Sequence, residues 1–216
     1  MKNLQKMGGI AAVYAGLAYV VGMLGFKVIV GWPDDVVEQV AVLVEHQVVQ
    51  HILYMIVYQI WAIFLVVLAL ALYERFKDDS PAMMQTATAI GMIWAGVVIA
   101  SGMIFNIGMD NVVDLHSTDP KQAETVWLAV SSVCDGIGGG NELLGGLWVL
   151  LISWVALQAG KLSKALNYLG IVIAVAGIIS ALPGLGEVGM IFGGIQIVWF
   201  IWLGIVMLRS SSSAAA

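Results

Sequence analysis

Apolar residues in this chain run in long blocks separated by short polar clusters. Blocks at about 8–30, 48–73, 85–108, 139–159, 164–182 and 187–208 each read as a membrane span, because about 20 helical residues cross the hydrocarbon core. Helices are expected throughout. Backbone N–H and C=O groups in hydrocarbon must be paired internally, and barrel strands would alternate over shorter segments. The expected fold is therefore all-α: a polytopic bundle of six transmembrane helices within a single domain over 1–209, with added amphipathic helices at the outer face.

Two stretches depart from simple spans. In WPDDVVEQVAVLVEHQVVQ, Asp35 followed three residues later by Glu38 is a helix-start signal. Val36, Val37, Val40, Leu43, Val44 and Val48 then recur near helical spacing, which predicts an amphipathic interfacial helix feeding the second span. The second stretch runs from Glu124 to Gly160. As one helix it would be about 55 Å long against about 30 Å of hydrocarbon. Gly136, Gly138, Gly139 and Gly140 mark the expected break, with an outer helix over about 124–135 before it.

Composition reinforces the membrane reading. Of 216 residues, 61% are hydrophobic and 11% charged, against about 25% charged in soluble domains. The N-terminal apolar run, Gly8 to Val30, is too long for a signal-peptide core and reads as a retained first span. The terminal SSSSAAA, 210–216, is low-complexity sequence set apart from functional reasoning. Cys134 is the only cysteine, which excludes an intrachain disulfide and CxxC chemistry. A net charge of −5 argues against a nucleic-acid partner.

Charge also predicts orientation. Lys2, Lys6, Arg75, Lys77, Lys161, Lys164 and Arg209 all fall on one side of the predicted spans, and only Lys27 and Lys121 fall opposite. The positive-inside rule makes the first side cytoplasmic, with both termini there, in a plasma (inner) membrane. The outer side collects Asp34, Asp35, Glu38, Glu45, Asp110, Asp114, Asp119, Glu124 and Glu187, with His46, His51 and His116. Solvation of short loops accounts for part of that acidity.

Candidate chemistry gathers at the outer boundary. Gln47, His51, Tyr54 and Tyr58 share one face of the second span. Glu124, Ser131, Asp135 and Glu142 would share another if the chain stayed helical, and Asn141 lies beside them. Ionisable groups within membrane spans face partners or cavities, so His51 with Glu142 is the sharpest expected contact. The candidate ligand or proton site is His51, Glu142, Asp135, Tyr54 and Tyr58. A transition-metal site for Cu or Zn would draw on His46, His51, His116 and Glu45, with Met55 and Met109 as soft ligands for Cu(I). Against it, His46 and His51 lie about 140° apart around a helix, and no HxxxH, HExxH or CxxC spacing occurs.

KMGGIAAVYAGLAYVVGM, LSKALNYLGIVIAVAG and QIVWFIWLGIVML resemble a family of six-helix bacterial integral membrane proteins known only as a domain of unknown function. Members often carry an acidic residue in the third span, which TATAIGMIWAGVVIASGMIFNIG lacks. The resemblance implies a fold and a membrane location. Three functional readings follow from the residues. The first is a binding or accessory subunit that meets the bilayer, other membrane subunits or copies of itself through glycine-rich faces and its acidic outer surface. The second is a small-molecule or ion transporter using the broken fourth span. The third is an outer-face His/carboxylate metal site, including a metal-dependent hydrolase.

Overall fold

The computed structural model describes residues 2–139 and 142–213. Among these residues the secondary structure is helical, without strands. The helices are α1 (Lys2–Leu24), α2 (Val36–Tyr54), α3 (Trp61–Phe76), α4 (Pro81–His116), α5 (Pro120–Cys134), α6 (Leu143–Ala159), α7 (Lys164–Ser180) and α8 (Val188–Ser213). Three π-helical segments join them: Gly25–Val30 after α1, Met55–Ile60 between α2 and α3, and Asp135–Gly139 after α5. Gly140, Asn141 and residues 214–216, all weighed in the sequence, lie outside the described residues.

Five stretches are long and apolar enough to cross a membrane: Asn3–Val30, Val36–Phe76, Pro81–His116, Pro120–Ala159 (which runs over residues 140 and 141, outside those described) and Val188–Ser210. Lys164–Ser180 is a shorter sixth, 17 residues, or about 26 Å of helix. Each of the six predicted blocks coincides with one of these stretches, and three of them, 48–73, 85–108 and 139–159, are extended by helix beyond the apolar block. The expected interfacial helix and the second span form one run, kinked at His46 (φ −117°, ψ 25°). Asp35 caps it as its sequence position predicts, its Oδ1 accepting from the N–H of Val37 at 2.9 Å and of Glu38 at 3.2 Å. Pro120 opens α5 behind Asp119, whose side chain accepts from Gln122 N–H. The long fourth stretch leaves regular α-helix at Asp135, where the glycines predicted a break.

The chain divides into two compact units. The first comprises 1–19, 61–96 and 141–216, the second 20–60 and 97–140. In the first, α6 packs on α7 and α7 on α8. Gly146 makes the α6–α7 approach possible, since a Cβ there would sit 2.8 Å from the carbonyl oxygen of Ala174. Buried Trp94, Trp148 and Trp199 run through this unit, with successive ring centroids 6.0 and 6.1 Å apart. Lys161 in the α6–α7 turn pairs with Asp79 after α3 at 2.6 Å. In the second unit, α2 packs on α5 around Val40, Leu43, Tyr54, Phe105, Met109 and Trp127.

Candidate functional site

The second unit contains a cavity of about 440 Å³ lined by Phe26, Trp32, Asp34, Val36, Gln39, Tyr54, Tyr58, Phe105, Leu128, Ser131 and Asp135. Each π-helical segment supplies one of these residues: Phe26, Tyr58 and Asp135 respectively. A π turn widens the helix and shifts the phase of the residues beyond it, and such turns occur often at functional sites. Here three separate segments of this kind each contribute one lining residue to the same space.

The cavity floor is aromatic. Tyr54 and Phe105, both buried, stack with centroids 4.5 Å apart and planes 21° apart. Phe26 lies 5.0 Å from Tyr54, Tyr58 lies 5.4 Å from Tyr54, and Trp32 lies 6.4 Å from Phe26. These separations suit the offset and edge-on arrangements that aromatic quadrupoles favour. Asp34 and Asp135 are exposed and bring two carboxylates to the same cavity.

Hydrogen bonds and close backbone contacts fix the walls. Gln39 accepts from the indole N–H of Trp127 at 2.8 Å and donates to the carbonyl of Pro33 at 3.0 Å, so α2 holds both α5 and the turn carrying Asp34. Ser101 Oγ donates to the carbonyl of Cys134 at 3.0 Å, and Cys134 Sγ donates to the carbonyl of Ser101 at 3.5 Å. This exchange anchors the residue before Asp135 to α4. At Gly138, a Cβ would stand 2.8 Å from the carbonyl oxygen of Val97, so only glycine permits that approach. At Gly102 a Cβ would stand 2.5 Å from Tyr58 Cβ.

A family model described as a domain of unknown function (DUF4386) matches residues 8–211, almost the whole chain. The chain belongs to this family. No curated protein and no solved structure matches it.

Three of the five ligand-site residues expected from this DUF4386 sequence, Tyr54, Tyr58 and Asp135, line this cavity. His51 takes a different partner from the one expected. Its Nε2 lies 3.6 Å from the Asp110 carboxylate, which also accepts from Gln47 Nε2 at 2.8 Å. Asp110 belongs to α4 because that helix continues past its apolar block to His116. Glu142 falls in the first unit, where its side chain lies by Gly189 and its carbonyl accepts from Gly146 N–H. Asn141 lies outside the described residues.

The metal set does not assemble. Among the described residues, no three His, Cys, Asp or Glu side chains come together as a metal would need. His46 Nε2 lies 3.9 Å from its neighbour Glu45, His51 is paired with Asp110, and His116 closes α4. The physical reason is spacing: His46 and His51 project from different faces of α2, and a kink at His46 turns the helix between them. Phe26, Trp32, Asp34, Gln39 and Phe105 also line the cavity, beside Val36, Leu128 and Ser131, and none of these five belongs to the site expected from the sequence. Their separation along the chain hides their proximity. The weak signal available was an aromatic residue beside a carboxylate in WPDD, together with aromatics on neighbouring spans.

Proposed function

We propose that this chain is a membrane-embedded binding protein that holds a small molecule in the cavity of its second unit. The observation that carries this reading is the convergence of Phe26, Tyr58 and Asp135 from three π-helical segments on one space. π turns weaken regular hydrogen bonding, so three of them serving one cavity support a role beyond packing. At about 440 Å³ the space also falls within the range of about 300–1,000 Å³ usual for small-molecule sites. Its apolar rings with a few convergent polar groups have the composition of such sites.

The protein sits in the plasma (inner) membrane with both termini cytoplasmic, a reading supported by seven of nine Lys/Arg residues on one side of the spans. Binding, with no bond made or broken by the protein, accounts for the cavity without a nucleophile or a metal.

Native mass spectrometry of gently solubilised protein tests the reading. The wild-type chain is expected to retain a bound small molecule, and Ser131→Trp, which fills the cavity from its wall, to lose it. Identical spectra for a folded Ser131→Trp and the wild type would remove the cavity as the site.

A further inference from the structure

We infer that the ligand of this cavity is a small organic cation, a quaternary or protonated amine, held over aromatic faces and balanced by Asp34 and Asp135. The inference rests on the binding function proposed above and specifies its ligand. Phe26, Trp32, Tyr54, Tyr58 and Phe105 offer rings to one space. A cation over such faces is attracted by the ring quadrupole, and aromatic cages bind quaternary ammonium groups in this way.

The charge of the site points in the same direction. Two carboxylates line the cavity and none of its lining residues is cationic. Across the second unit, nine acidic side chains stand against two basic ones, Lys27 and Lys121. That imbalance concentrates cations at the cavity and disfavours anions. A bare metal ion fits poorly. Hard cations favour several carboxylate oxygens in close coordination, and no group of three His, Cys, Asp or Glu side chains forms among the described residues. A neutral aromatic ligand would leave both carboxylates without a role. An organic cation uses the rings and the carboxylates together, and the weak hydration of a quaternary ammonium group lowers the cost of entry among the rings.

Isothermal titration of the detergent-solubilised full chain with choline and with its neutral carbon isostere, 3,3-dimethyl-1-butanol, tests the inference. The two probes differ in charge at nearly constant shape. Choline is expected to bind at least tenfold more tightly than the alcohol. Asp135→Asn should weaken choline at least fivefold and leave the alcohol unchanged. Because Asp135 is exposed and caps nothing through its side chain, the variant is expected to fold, and an unchanged thermal midpoint checks this. Equal affinity for the two probes would overturn the cation inference and leave the binding function standing. No binding of either probe, alongside a retained small molecule in the native spectra, would likewise overturn the inference alone. No binding and no retained molecule would overturn both.

Discussion

Tyr54 of α2 stacks on Phe105 of α4 at 4.5 Å, and this pair forms the floor of the cavity. The two rings are both wall and ligand surface, so their structural and binding roles separate only under graded substitution. Phe105→Ala should destabilise the protein by about 3 kcal/mol, the usual order for removing a buried phenylalanine. Tyr54→Phe keeps the stack and should leave the thermal midpoint within about 2 °C, equivalent to less than about 0.5 kcal/mol. Thermal unfolding in one detergent, followed by near-ultraviolet circular dichroism, measures both.

The glycines after α5 are not equivalent. Gly138→Ala drives a methyl against the Val97 carbonyl, a backbone atom that cannot rotate away. It should cost about 1–3 kcal/mol, as overpacking does. Gly136 has open space where its Cβ would stand, so Gly136→Ala should be neutral or slightly stabilising through helix propensity. Comparable losses in both variants would contradict the packing at Gly138.

Asp110 joins α4 to α2 through two contacts of unequal strength. The Gln47 hydrogen bond is 2.8 Å with a charged acceptor and should contribute about 1.5 kcal/mol. The His51 contact is 3.6 Å, between side chains 34% and 44% exposed, and should contribute less than about 0.5 kcal/mol. Double-mutant cycles of Gln47→Ala and His51→Ala with Asp110→Ala are expected to return that order.

These contacts mark how far the sequence carried the fold and the site. Helix type, the six apolar blocks, the Asp35 cap and the break after Cys134 follow from local rules that need no knowledge of neighbours. Tyr54 and Tyr58 were found together because positions four apart share a helix face. Phe105 was missed because pairing between helices leaves no trace in one sequence. Asp110 falls outside the apolar block, which ends at about residue 108, while hydrogen bonding continues the helix to His116. The π turns have no comparable signal: one inserted residue shifts the phase of later positions, and too few polar residues follow each turn to mark the new phase.

The orientation also has a direct check. Asp78→Cys and Ser117→Cys place single reporters in exposed turns after α3 and α4, against a native Cys134 that is buried. A membrane-impermeant maleimide applied to intact cells should label position 117 and reach position 78 only after permeabilisation. The reverse pattern would invert the assigned topology.

The most direct test of the cation-holding cavity is the charge selectivity of a thiol placed within it. Ser131→Cys puts a sulfur on the cavity wall, and its reaction rates with trimethylammonium-ethyl and sulfonato-ethyl methanethiosulfonate report the local preference for positive over negative charge. After normalising each rate to free cysteine, the cationic reagent is expected to react at least tenfold faster. Asp135→Asn in the same background should reduce that ratio several-fold. A normalised ratio near one, unchanged by Asp135→Asn, would contradict the account.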